Sequence, residues 1–190
     1  MPVKLGLEVD FFPETIEAVA DLLAPYPWDF LLGSVHWIGG WALDADHSAF
    51  EFDRRGVDRA WDDYFSLLAK LAASGSVDVL AHADVIKKFG HRSAVDHAGW
   101  YGMVAAAAAM SGTAVEVSSA GLRYPAAEVY PAPHFLETFH AAGVDITLAS
   151  DAHHASDAGW GRQEVVTAAR AAGYPSHVRF DRRRQVAVPL

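Results

Sequence analysis

The chain reads as an α/β protein, a parallel sheet with crossover helices that is either open or closed into a barrel. Three observations predict this. Short apolar runs of the kind found in buried strands alternate about five times with helical segments. Four of those helical segments stop at a glycine, at Gly75, Gly112, Gly143 and Gly173. Finally, 190 residues with 52% apolar and 21% charged side chains suit one domain with a sizeable core.

The first strand is Val3 to Val9, whose loose alternation ends in Glu8 and Asp10. Pro13-Glu14 opens a helix that carries Ile16, Val19, Ala20 and Leu23 on one side and ends before Pro25 and Pro27. Phe30 to Val35 is a second strand running into His36, and Gly39-Gly40 marks a loop. The polar, irregular text from Trp41 to Arg55 reads as a surface loop. Val57 to Ala73 is an amphipathic helix with Trp61, Tyr64, Leu67, Leu68 and Leu71 on its apolar side. Val77 to Ala81 is a third strand, running into His82 and Asp84, and a long helix follows from about Ala94 to Met110. Ala114 to Val117 is a fourth strand, entering Ser118-Ser119-Ala120-Gly121-Leu122-Arg123. After a loop with Pro125, Pro131 and Pro133, Phe135 to Ala142 is helical. Val144 to Ala149 is the fifth strand and delivers Asp151 and His153 to its exit. Gly161 to Ala172 is the last helix, and Val178 to Val188 forms an extended segment or hairpin.

Composition narrows the chemistry. The chain has no cysteine, so it forms no disulfide and no thiolate metal site. A net charge of -9 argues against nucleic acid as the main partner. The longest apolar run, Met103 to Met110, is mostly alanine and too short for a bilayer, so no membrane association is expected. The start shows no signal-peptide pattern, and a cytoplasmic location is expected.

Four of the five strands end in a residue that can bind a metal: Glu8, His36, His82, and Asp151 with His153. Any one of these alone is most simply a solvated or hydrogen-bonded side chain. Four at the same end of successive strands are different, because in parallel α/β architectures the site lies at the strand carboxyl ends. Asp151 and His153 share a face by the two-residue strand period. Carboxylate and imidazole without thiolate suit Zn, Mn or Fe in a hydrolytic site. Asp10 and Asp84 sit two residues beyond Glu8 and His82; they either hold a ligating imidazole or carry protons, or they are turn-forming aspartates. Arg123 is the one cation read at a strand exit and suits an anionic substrate, with a surface ion pair as the alternative. His154 points away from His153 and is at most a supporting or substrate contact. Lys87 and Lys88 read as a solvated helix start, and the remaining histidines (47, 91, 97, 134, 140 and 177) as solvated surface.

The motifs Gly6-Leu-Glu8-Val-Asp10, Gly33-Ser-Val-His36, Ala81-His82-Ala-Asp84, Ala120-Gly-Leu-Arg123 and Ser150-Asp-Ala-His153 fall in an order that resembles the PHP (polymerase and histidinol phosphatase) family, most closely its histidinol-phosphatase branch. The resemblance implies a distorted (β/α)7 barrel with up to three metal ions at the strand carboxyl ends. It implies that Glu8, His36, His82, Asp151 and His153 are metal ligands, with Glu8, Asp151 and His153 catalytic, and that Arg123 grips a phosphate. The reaction implied is hydrolysis of L-histidinol phosphate in histidine biosynthesis, with a small phosphorylated molecule as the partner. Alternatives are a PHP phosphoesterase with another substrate and a non-catalytic PHP remnant. The family pattern also opens with a His-x-His strand that has no counterpart here. The expectation is therefore a single domain over residues 1–190, an incomplete barrel of about five strands with helices outside. It would have two bare sheet edges that a homodimer could cover, an uncovered apolar interior, fewer metals than the family maximum, and lower phosphatase activity.

Overall fold

The computed structural model describes residues 3–190. The first half runs β1 (Gly6–Asp10), α1 (Ile16–Leu23), β2 (Phe30–Ser34), β3 (Trp37–Ile38), β4 (Trp41–Ala42), α2 (Glu51–Arg55) and α3 (Val57–Ser74). The second half runs β5 (Val79–Leu80), α4 (Ala98–Ser111), β6 (Ala114–Ser118), α5 (Pro133–Ala141), β7 (Ile146–Ala149), α6 (Arg162–Ala171), β8 (Ser176–Asp181) and β9 (Arg184–Pro189). The five strands expected from the apolar runs form one sheet in the order β1-β2-β5-β6-β7, with every neighbouring pair parallel. β3–β4 and β8–β9 are separate antiparallel hairpins.

The two faces of the sheet are built differently. Leu31, Leu80, Val115, Val117 and Ile146 belong to the main core, together with Leu68 and Leu71 of α3, Val104 of α4 and Phe135 and Phe139 of α5. Gly33 makes this approach possible: a β-carbon there would lie 2.8 Å from Leu71 and 2.9 Å from Val77, so α3 could not sit as close over any larger residue. Residues of the alternate register face the other way. Val79 and Ala114, with the partly buried Phe30 and Leu32, form a second small cluster with Val178 and Phe180 of β8. The β8–β9 hairpin thus plugs the amino-terminal half of the inner face, where the interior was expected to be uncovered. Its turn is tied to the strand starts: Arg183 donates from Nε to the Asp78 carboxylate at 3.0 Å and from its backbone N–H to the Asp29 carbonyl at 2.8 Å. β1 and β7 are the sheet edges.

Residues 41–55 are not the surface loop expected. Trp41, Leu43 and Phe52 are buried at 3%, 0% and 0% exposure, and the segment folds into β4, a 3-10 turn and α2. Three large apolar side chains among polar neighbours drive this, with Phe52 set edge-on to Trp41 and stacked on His91. The helix expected from Ala94 starts at Ala98 because Asp58 captures Ser93 Oγ and the Ala94 N–H, and Asp96 Oδ1 accepts the Ala98 N–H. Among the histidines read as surface, His177 is buried and His97 stacks on Trp61.

Candidate metal centre

Glu8 stands on the inner face of β1, opposite Leu32 of β2. His36 lies just beyond β2 and His82 just beyond β5. Their ends converge. The Nε2 atoms of His36 and His82 are 3.2 Å apart, and Glu8 Oε1 lies 3.1 Å from His82 Nε2 and 3.7 Å from His36 Nε2. Bonds of 2.0–2.1 Å to one tetrahedral ion put neighbouring ligands about 3.3–3.4 Å apart. Among the described residues, this trio forms the group whose ligand atoms all lie within 4.8 Å of one another.

The hydrogen bonds orient the trio as a metal site needs. His36 Nδ1 is 2.7 Å from Asp10 Oδ1, and the carboxylate must accept, so the ring proton sits on Nδ1 and Nε2 offers a lone pair. Two imidazole nitrogens so close need one proton or one cation between them. Without a metal, His82 supplies the proton. Burial alone would lower its pKa, but the hydrogen bond and charge of Glu8 raise it from 6.5 to about 9. The same contact acts on Glu8, where burial opposes ionisation yet the hydrogen bond and positive charge of His82 hold the carboxyl near 2. The shared proton marks where a divalent ion fits, so the donor set suits a carboxylate-imidazole metal.

Asp151 and His153 form the opposite wall. They line one cavity of about 140 Å³ with His36, His82, Asp44, Val85, Lys88, Tyr124 and Tyr130. They lie outside the close trio, and the His153 side chain is 78% exposed. Asp151 has a φ of +46° and His82 a φ of +26°, a region unfavourable to residues with a β-carbon. Strain of this kind, on the order of 1–3 kcal/mol per residue, persists where surrounding contacts over-determine the backbone. At Asp151 the contact is Arg123, whose Nη2 donates to the carbonyls of Ser150 and Asp151, both at 2.9 Å, while its guanidinium lies over Trp160.

Arg123 therefore clamps the β7 exit and does not line the cavity. His154 is exposed and also outside the lining. Asp84 does not hold an imidazole. It is fully buried, with Oδ2 accepting from Lys87 Nζ at 2.6 Å and from the Ala132 N–H at 2.7 Å. Lys87 is likewise not solvated: it has no exposed side-chain surface and also reaches Glu128 Oε1 at 3.0 Å and the Val129 carbonyl. This buried ion cluster ties the segment after His82 to the β6–α5 connection.

Two further side chains were missed by the sequence reading. Glu116 is 4% exposed on the inner face of β6, and its Oε1 has no hydrogen-bond partner among the described residues. Burial pushes its carboxyl up to about 7, with the neighbouring charge of His82 pulling the other way. The signal was available: a carboxylate inside Ala114-Val-Glu-Val, in a central parallel strand, must be covered on both faces. Lys88 is the other. Its side chain is 13% exposed and lines the cavity.

Comparison with known proteins places this geometry. No family model matches the chain. A curated relative from Deinococcus radiodurans, named "probable histidinol-phosphatase", is 36% identical over 174 residues, which is 91% of this chain and 66% of that relative. The chain thus spans a little under two thirds of that relative's length. The crystal structure of histidinol phosphate phosphatase from Lactococcus lactis, complexed with zinc, L-histidinol and phosphate, superposes with a TM-score of 0.84 at 20% identity, over 98% of this chain and 72% of that one. The Listeria monocytogenes protein hisK, a histidinol phosphatase by name, gives 0.72 at 18% identity, over 82% and 65%. The sheet is that of a PHP barrel, and over most of its length the chain is similar to a relative named for the histidinol-phosphatase branch of that family.

Proposed function

We propose that the chain is a metal-dependent phosphomonoester hydrolase that cleaves L-histidinol phosphate to L-histidinol and phosphate. The observation that carries this reading is the convergence of Glu8 Oε1 and the Nε2 atoms of His36 and His82 at 3.1–3.7 Å, in a cavity whose far wall carries Asp151 and His153. The likeness to a relative named for this activity supports it.

Glu8, His36 and His82 would hold a divalent ion, and Asp151 and His153 are the residues of the far wall that would complete its ligands. Such an ion acidifies a bound water and polarises a phosphoryl oxygen. The chain's own residues do the rest. Asp10 keeps the His36 proton on Nδ1, so that Nε2 stays free to bind. Arg123 fixes the carbonyls of Ser150 and Asp151, and with them the direction of the Asp151 carboxylate. His153, at the exposed rim and 3.5 Å from Asp151 Oδ1, would join Asp151 in that ligand set.

Phosphate release from L-histidinol phosphate by the chain loaded with Zn or Mn, beside a panel of other phosphomonoesters, tests the reading. Release should need the metal, stop on chelation, be lost in Glu8→Gln, and be fastest with histidinol phosphate. Faster turnover of another ester would reassign the substrate. A chain that takes up metal and releases no phosphate from any ester would refute the enzymatic reading.

A further inference from the structure

The cavity needs a cation to meet a phosphoryl group, and the residue expected there faces elsewhere. Arg123 spends Nη2 on two backbone carbonyls, its Nη1 is buried, and it is absent from the cavity lining. Of the residues that do line the cavity, Lys88 is the one with a permanent positive charge. Its backbone is fixed on both sides, donating to the Val85 carbonyl and accepting from the Ala126 N–H. The side chain passes over the Tyr124 ring, with Nζ 4.5 Å from the ring centre. Nζ makes one hydrogen bond among the described residues, to the Asp44 carbonyl at 2.6 Å, and the Asp44 carboxylate stands off at 3.6 Å. An ammonium has three donors. One is used, and the amine is largely withdrawn from solvent beside a cavity that also holds His36, His82 and Asp151.

We infer that Lys88 is a substrate-binding residue that contacts a phosphoryl oxygen of the phosphomonoester, while Arg123 serves as a positioning residue for Asp151. This rests on the function proposed above. The size of the cavity agrees. About 140 Å³ is room for a phosphoryl group, with the rest of the ester outside toward the rim. The aromatic face of Tyr124 and the Asp44 carbonyl hold the ammonium in place before substrate arrives, which lowers the ordering cost of the contact.

The test uses Zn-loaded chain and inorganic phosphate. In the wild type, phosphate should shift the Nζ signal of Lys88 in a nitrogen-15 lysine spectrum, a simple one because the chain has four lysines (4, 70, 87 and 88). In Lys88→Met, phosphate affinity and the apparent affinity for the ester should fall roughly 10- to 100-fold, the loss of one charged hydrogen bond, with Zn content unchanged. Lys88→Arg should recover part of that loss. If the methionine variant does not fold, the wild-type titration decides, and an unmoved Lys88 signal at saturating phosphate overturns the inference. It is also overturned if the folded variant binds phosphate as tightly as the wild type, or if its only defect is lost Zn. A wild type that binds neither Zn nor phosphate refutes the proposed function together with this inference. A wild type that hydrolyses the ester, beside an equally competent Lys88→Met, refutes the lysine assignment alone.

Discussion

The two walls of the cavity are held by different means. On the β1-β2-β5 wall, Glu8, His36 and His82 come from three adjacent strands, touch one another, and are backed by Asp10 and by the buried Asp84–Lys87 pair. On the β7 wall, Asp151 and His153 leave an edge strand and rest on one guanidinium; His153 is 78% exposed. Side chains on neighbouring strands can be preset to within tenths of an ångström, because the ladder fixes their spacing. Side chains on a loop beyond an edge strand depend on whatever reaches over to hold them. The first wall is therefore preset by the sheet, and the second depends on the Arg123 clamp.

This contrast can be broken most directly through the metal. His82→Ala should weaken Zn binding by more than about 100-fold, whereas His153→Ala should cost less than about tenfold, both by titration against a chelator; supporting contacts alone are commonly worth 10- to 100-fold. Equal losses would mean the walls contribute alike. Asp10→Asn should fall between, at about 10- to 100-fold, because an amide can still accept from Nδ1 but no longer carries the charge that raises the basicity of His36. Its measurement is the same titration, and no change would show that His36 is oriented by packing alone.

The smallest expected effect is on stability against pH. In the metal-free chain, Glu8 is held near 2, below its ordinary 4.5, so its contribution is present above about pH 4.5 and lost as pH falls toward 2. His82 is held near 9, above 6.5, so its contribution is present below about pH 6.5 and lost as pH rises through 9. Glu116, raised to about 7, adds stability that is full below pH 4.5 and gone by about pH 7. The melting temperature of metal-free protein should thus peak near pH 5 and fall by several degrees toward pH 9, at roughly 2–4 °C per kcal/mol for a chain of this size. With Zn the alkaline slope should flatten or reverse, because the metal displaces the His82 proton. Parallel curves with and without Zn would place the ion somewhere other than the trio.

The same contrast explains what was legible in the sequence. Glu8, His36 and His82 could be read because each follows directly on an apolar run, and strand period plus strand exit fixes where such a residue goes. The five parallel strands followed from the same runs. The support was not legible. Lys87 looked like a solvated lysine because nothing local shows that Asp84, three residues before it, and Glu128, about forty residues after it, enclose its ammonium. Arg123 was placed by its position after a strand, but its donors were claimed by carbonyls 27 and 28 residues later. Trp41, Leu43 and Phe52 were hidden among polar neighbours, since a buried irregular segment has no period to find.

The β8–β9 hairpin has a consequence for how the molecule is made. Val178 and Phe180 are synthesised about thirty residues after β7, yet they cover Val79 and Ala114 at the middle of the sheet and pack on Phe30 near its start. A growing chain therefore has all five strands, and an apolar patch on their inner face, before it has the plug for that patch. Until the hairpin packs, that patch is open to aggregation and chaperone capture, so a truncation before Ser176 should lower the soluble yield of the expressed chain.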